Sequence, residues 1–409
     1  MSIKTYIRAV TLLVVGAALA FSCTFQKEEL GFDLTPAILC QKGELGSAML
    51  NEDVVVNVVN ISESTTVTVK FGREKTLTRK GPGTISYAFT SSGLKTISVT
   101  LDSDEVEKTI WRVEVKALES LQSLAKKLKN DPQLCLVMAH RGNSSDWSIP
   151  ENSLSAINKC IEDGIDCIEI DLYTTKDGHL VVSHDAYINR ETTGTGYIRN
   201  KTLSQIKSVY LKDRNGNPTT EKMLTFDELL DACNGLIYIN VDIGDREAEI
   251  KQVVDAVTRK GMTQQVLIFC NSVEKIQQAF AANPNAIAYT TNASANLSAI
   301  KQHGLPEYTY FTQASWFPTT AAASANGKPS ATAAADVSYV ANGAAKGMVV
   351  TINAIYTNET KVFYKKDFTV AQVEEIFRLY PSCQCIQVDT GKEAKDALVK
   401  FGKKVTERL

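Results

Sequence analysis

From Leu134 onward, short apolar strand-like segments alternate with longer segments of helical periodicity, and this rhythm constrains the fold more than any other feature of the chain. Strands are expected at 134–139, 166–171, 179–183, 236–242, 265–270, 286–291, 347–352 and 384–389. Such alternation points to a parallel α/β architecture. Eight strands within residues 134–409 fit a (β/α)8 TIM-type barrel, whose usual length is about 250 residues. The Ala-, Ser- and Thr-rich stretch Thr312–Gly347 has no readable period, and composition leaves open a flexible cover or a packed helical insertion.

Four motifs fall at expected strand ends: Ala-His-Arg-Gly at 139–142, Glu-Ile-Asp at 169–171, Ser-His-Asp at 183–185 and Asn-Val-Asp at 240–242. Barrel enzymes carry their sites at that end. Glu169 and Asp171 are two residues apart, so they share one face of a strand while Ile170 takes the other. Carboxylates pointed into an apolar barrel are costly without a cation. With Asp242 they make an all-oxygen set suited to a divalent ion. His140 and His184 can carry acid–base steps near neutral pH, and Arg141 can grip a phosphate bidentately. Together these groups are what hydrolysis of a phosphodiester requires. The other two histidines, His179 and His303, read as surface or capping residues.

The motifs and their order resemble the glycerophosphodiester phosphodiesterase family. The resemblance runs from about Leu134 to the C-terminus. It includes Pro150-Glu151-Asn152 after the first motif, Thr175-Lys176-Asp177-Gly178 before the third, and Asn189-Arg190-Glu191-Thr192-Thr193-Gly194 after it. It implies hydrolysis of glycerophosphodiesters to glycerol phosphate and an alcohol. It also implies metal binding by Glu169, Asp171 and Asp242 and acid–base roles for His140 and His184. The expected ion is one divalent cation, Ca2+ or Mg2+, and Arg141 is expected on the phosphate. Glu151 and Asn152 are expected to support the first loop, with direct metal contact by Glu151 as an alternative. Rival readings are a phospholipase D-like lyase acting on intact lipids and a catalytically weakened surface binding protein.

The chain departs from the family pattern in two places. Asp242-Ile243-Gly244 stands where the family has Glu-Ile-Lys, which shortens one carboxylate and removes a lysine expected at the phosphate. A Lys or Arg from a later loop is expected to take that place. Val350-Thr351-Ile352-Asn353 lacks the tryptophan that often precedes this Asn in the family.

Ahead of the barrel the character is all-β. Asp53–Ile61, Thr65–Phe71, Thr84–Thr90, Lys95–Leu101 and Lys108–Lys116 are short runs rich in Val, Ile and Thr, punctuated by Gly81-Pro82-Gly83 and Ser91-Ser92-Gly93. They suggest a small Ig-like sandwich over 51–116, whose Tyr87–Val99 stretch resembles the end of a PKD-type domain. Ala117–Lys129, within a 117–133 linker, reads as an amphipathic helix that joins the domains or covers the bottom of the barrel.

At the N-terminus, Lys4 and Arg8 precede an apolar run from Ala9 to Phe21, the order of a secretory signal. Cys23 after Phe21-Ser22 resembles a bacterial lipobox. The expectation is therefore a lipoprotein signal peptide over 1–22, a tether over 23–50, and a lipid anchor holding the chain at the bacterial cell envelope, in the outer membrane. The 44 basic and 46 acidic residues give a formal charge of −2, with no basic excess, so no nucleic-acid partner is expected. The eight cysteines after Cys23 have no zinc-like spacing to histidines, and Cys135, Cys270 and Cys385 sit in apolar runs where cysteine acts as a small hydrophobe.

Overall fold

The structure, a computed structural model, describes residues 37–41, 45–90, 92–102, 109–244, 246–290, 304, 311–315, 348–354 and 368–406. Cys23, His303 and nearly all of Thr312–Gly347 lie outside the described residues.

The N-terminal part is two facing sheets. One has the order β1 (Ala37–Cys40), β3 (Asp53–Val59), β6 (Gly83–Ala88). The other runs β2 (Leu45–Met49), β8 (Thr109–Lys116), β7 (Gly93–Leu101), β4 (Thr66–Phe71), β5 (Lys75–Lys80). Period-two alternation does the work: Val54, Val56 and Val58 from one sheet meet Val67, Val69, Phe71 and Val113 from the other in one buried core. Two readings need correction. The stretch 23–50, expected to be a tether, supplies β1 and β2. The strand β5 escapes sequence detection because Leu77 is the one apolar residue in Lys-Thr-Leu-Thr-Arg-Lys, a composition that suits an edge strand.

Helix α1 (Leu121–Asn130), capped by Ser120, turns Leu121, Leu124, Ala125 and Leu128 inward. They pack against Leu136, Cys167, Tyr238, Leu267 and Val349, residues that face into the barrel. The backbone N–H of Leu121 donates to Gln264 O (2.8 Å), and the Tyr238 hydroxyl donates to Glu119 O (2.8 Å). Both partners lie at strand starts, so α1 closes the bottom of the barrel, opposite the strand ends that carry the motifs.

Eight parallel strands follow: β9 (Leu136–Ala139), β10 (Cys167–Thr174), β12 (Tyr238–Asp242), β13 (Val266–Phe269), β14 (Ile287–Tyr289), β15 (Phe311–Ser315), β16 (Val349–Asn353) and β17 (Cys383–Val388). Their order, β14-β13-β12-β10-β9-β17-β16-β15, makes a nearly closed TIM-like barrel; among the described residues β14 and β15 are not paired. Outward-facing Val137, Ile168, Ile170, Val241, Ile268 and Ile386 form a second core against helices α2 (Leu154–Glu162), α4 (Phe226–Cys233), α5 (Ile250–Arg259), α6 (Val273–Ala282), α7 (Val370–Leu379) and α8 (Gly391–Phe401), with the short α3 (Leu203–Lys207) between α2 and α4. None of the described helices is long and apolar enough to cross a membrane.

The strand list also needs correction. Segment 179–183, expected as a barrel strand, yields β11 (Leu180–Val182), which pairs antiparallel with the far end of β10 and lies off the barrel path. The missing barrel strand is Phe311–Ser315, whose Thr and Gln in a five-residue stretch hide any apolar signal. The eight cysteines from Cys40 to Cys385 are buried free thiols.

Candidate active site

Register brings the carboxylates together. β10 and β12 run parallel with Asp171 opposite Asp242 and Glu169 opposite Asn240, so the two-residue spacing of Glu169 and Asp171 continues the inward face of the barrel. Acceptor oxygens of Glu169, Asp171 and Asp242 lie within 4.8 Å of one another. Burial, reinforced by Asp171 and Asp242, pushes the Glu169 carboxyl well above its usual range. Asp171 Oδ2 is buried with no hydrogen-bond partner. An oxygen-only cluster with a repelling, partly unanswered charge fits one divalent cation.

Arg246, from the loop after β12, places Nη2 2.6 Å and Nε 3.2 Å from Asp171 Oδ1. It is a basic side chain two residues beyond Gly244, and its described contact is with Asp171. Gly244 itself has no room for a lysine, because a Cβ there would stand 2.9 Å from the Phe269 ring and 3.2 Å from Asp242 Oδ1. Gly244→Lys should therefore destabilise the fold by ~1–3 kcal/mol, the usual cost of overpacking, read as a lowered melting temperature. An unchanged melting temperature would show that the position accommodates the lysine.

The first motif leaves β9 in a tight turn, with Arg141 at φ 53° and Gly142 at φ 67°. Gly142 is required there, since a Cβ would come within 3.2 Å of Ala156 Cβ. The turn aims Arg141 N at Glu169 Oε2 (3.0 Å) and lays His140 Nδ1 2.8 Å from Asp389 Oδ1, at the end of β17. Asn143 Nδ2 donates to the same oxygen at 2.9 Å. Burial pushes Asp389 up, yet the charge and hydrogen bond of His140, with Arg214 and Asn143, hold it at about 2. An ionised carboxylate only accepts, so the His140 proton sits on Nδ1 and the Nε2 lone pair faces Glu169, 3.9 Å from Oε2. Burial and then Arg141 lower the His140 pKa, which keeps the imidazole neutral.

Arg141 Nη1 donates to both Glu151 oxygens at 3.1 and 3.3 Å, and Nε stands 3.9 Å from Asp171 Oδ2. Arg190 Nη2 reaches Glu151 Oε1 at 2.8 Å, so Glu151 bridges two arginines and is not part of the carboxylate cluster. Asn152, at φ 57°, donates its backbone N–H to Arg141 O (2.8 Å), and its side-chain amide is buried without a partner.

His184 is not at a barrel strand end. It follows β11 on a loop that the buried Glu191 fastens by accepting from His184 N (3.1 Å), Asp185 N (2.9 Å) and Ser183 Oγ (3.1 Å). Burial and then Glu151 lift Glu191 to about 8. His184 Nδ1 lies 2.6 Å from Asp185 Oδ1, and Arg190 Nε donates to Asp185 Oδ2 at 2.6 Å. A cavity of about 340 Å³ opens over this end of the barrel, lined by His140, Arg141, Glu151, Arg190, Asp389 and the turn carrying Lys212 and Arg214. His184 is outside that lining and joins it through Arg190 and Glu191.

Five site residues escape sequence reasoning. Asp389 had a signal, because it closes the last expected strand just as the other motifs close theirs. Asp185, Arg190 and Glu191 stand inside recognised segments but show no partner from sequence alone. Arg246 has no local signature.

Fold and site together define an α/β barrel whose chemistry sits at the carboxyl ends of its strands, around a carboxylate cluster able to hold a cation. The model of the glycerophosphoryl diester phosphodiesterase family matches residues 140–354, more than half of the 409-residue chain, and the chain belongs to that family. The glycerophosphodiester phosphodiesterase of Caldanaerobacter subterraneus subsp. tengcongensis is 47% identical over 74 residues, which is 18% of this chain and 30% of that protein. The chain thus spans less than a third of that relative. A glycerophosphoryl diester phosphodiesterase structure from Parabacteroides distasonis aligns with a TM-score of 0.58 at 18% identity, covering 71% of this chain and 95% of that one. A phosphodiesterase from Oleispira antarctica, solved with the product sn-glycerol-3-phosphate, aligns at 0.50 and 18% identity over 69% of this chain and 100% of its own. At these identities the likeness is one of fold.

Proposed function

We propose that this protein hydrolyses glycerophosphodiesters to glycerol phosphate and an alcohol, with one divalent cation, Ca2+ or Mg2+, on Glu169, Asp171 and Asp242. The observation that carries the reading is the convergence of those three carboxylates beside His140 and Arg141 at one end of the barrel. The cation would stabilise negative charge on the nonbridging phosphate oxygens. Arg141, held flat by Glu151, and Arg246, held by Asp171, supply the positive charge that a phosphodiester needs beside three carboxylates. His140, neutral and oriented by Asp389, takes the proton of the attacking oxygen at Nε2. His184, oriented by Asp185 at its Nδ1 and tied to the cavity lining through Arg190 and Glu191, would give a proton to the departing alkoxide. The weakened-site alternative drew its force from Gly244 and the β-domain; Arg246, bonded to Asp171, would supply the charge that Gly244 lacks.

The test is release of glycerol phosphate from glycerophosphocholine and glycerophosphoglycerol with and without chelator. Activity should fall by roughly 100-fold or more on chelation and return with Ca2+ or Mg2+, as expected where a bound ion carries charge stabilisation. Undiminished turnover in chelator removes the cation from the mechanism. Cleavage of intact phospholipids alone would favour the lyase.

We further propose an N-terminal lipid anchor at Cys23 and location at the bacterial envelope, supported by Lys4, Arg8 and the apolar run 9–21. The two-sheet unit ahead of the barrel would be an Ig- or PKD-like spacer, consistent with its sandwich core. Because one acyl chain binds a membrane only marginally, a firm anchor needs several. Cys23→Ser should move the protein from the membrane fraction to the soluble fraction; unchanged fractionation rules the anchor out.

A further inference from the structure

Beyond the reacting groups, the cavity is edged by a turn whose chemistry differs from the rest. Asp213 organises it: Oδ1 accepts from Asn215 N (2.9 Å) and Asn217 N (2.8 Å), and Oδ2 from Asn217 Nδ2 (3.0 Å). Backbone bonds from Lys212 N to Glu191 O (2.8 Å) and Arg214 N to Trp147 O (3.0 Å) lay the turn across the first and third motif loops. We propose that Lys212 and Arg214 on this turn receive one alcohol arm of the substrate and select an arm bearing a second negative group, a phosphate or carboxylate, over a quaternary ammonium. The proposal rests on the phosphodiesterase reading above and deepens it.

Charge placement supports this. The inner carboxylates are committed, Glu151 to Arg141 and Arg190, and Asp389 to His140 and Asn143, with Arg214 also acting on its charge. The carboxylate of Asp213 is turned into its own loop. At the edge, Lys212 Nζ donates to Asn189 O (2.9 Å), a neutral carbonyl, while Arg214 Nη1 donates to Ser144 O (2.6 Å) and its charge also acts on Asp389. Among the described residues Lys212 meets no carboxylate. An aromatic face could attract a choline-type arm, but the guanidinium of Arg214 lies over the Trp147 ring, 4.4 Å from its centre. The surface that would welcome a cation already holds one.

The experiment compares kcat/KM for glycerophosphocholine, glycerophosphoglycerol and bis(glycerophospho)glycerol, whose arms are cationic, neutral and anionic. The anionic arm should be favoured over the neutral one by roughly tenfold at low salt, and the advantage should shrink as salt rises, because charge pairs at an open mouth are screened. Lys212→Gln and Arg214→Gln should each cut the anionic-to-neutral ratio several-fold. Equal or better use of the choline arm overturns the proposal, as does a ratio untouched by both substitutions. Hydrolysis of none of the three overturns the phosphodiesterase reading and this proposal with it.

Discussion

His140→Ala should lower turnover of glycerophosphodiesters by roughly 100-fold or more, the usual contribution of a general base. The structure adds a second consequence. His140 is buried and its ring is the main partner of Asp389, so the substitution leaves that carboxylate with Asn143 and the Arg214 charge alone and should cost about 1–3 kcal/mol of stability. A melting curve beside the kinetics separates the two effects. Asp389→Asn tests the role directly, since it keeps the shape and removes the charge. The rate that depends on neutral His140 falls as pH drops through its pKa, which burial and Arg141 place below the ordinary imidazole value. Asp389 opposes that lowering, so without it the pKa drops further and the acid limb of kcat/KM moves to lower pH while the maximum falls. An acid limb unmoved in Asp389→Asn would remove His140 as the titrating base.

Asp171→Asn should weaken divalent-cation binding more than any other single change. Loss of an outer-shell partner alone costs about 10–100-fold in affinity, and Asp171 would be a direct ligand, so a loss of that order or more is expected by calorimetric titration. The change also removes the charge that pairs with Arg246, leaving at most neutral bonds in place of the two to Asp171 Oδ1. After burial, Asp171 contributes most to raising the Glu169 carboxyl, so Glu169 should titrate closer to the usual range in the variant. Wild-type affinity for Ca2+ and Mg2+ in Asp171→Asn would place the ion elsewhere.

Much of this site was legible before the fold. The period-two rule puts Glu169 and Asp171 on one face of a strand whatever surrounds them, and a buried pair of carboxylates announces a need for positive charge. His140 and Arg141 follow a four-residue apolar strand, and the reading of a site at strand ends needed only the barrel rule. The reading failed where a strand was polar or very short. Lys75–Lys80 and Phe311–Ser315 carry too few apolar residues to show a period, and Leu180–Val182 looked like a barrel strand because three apolar residues cannot reveal their pairing direction.

The amino-acid sequence by itself determined the alternating α/β rhythm, the sandwich ahead of it and the residue types at the strand ends, because all three follow from local periodicity and side-chain chemistry. Only the tertiary structure decided the partners. His140 meets Asp389, 249 residues away, because β9 lies beside β17 in the closing sheet. Asp171 faces Asp242 because β10 skips β11 and pairs with β12 in register. Arg246 meets Asp171, 75 residues away, because β10 and β12 lie side by side. Strand order, register and loop direction are set by how distant segments bury one another, and no local pattern in the chain encodes them.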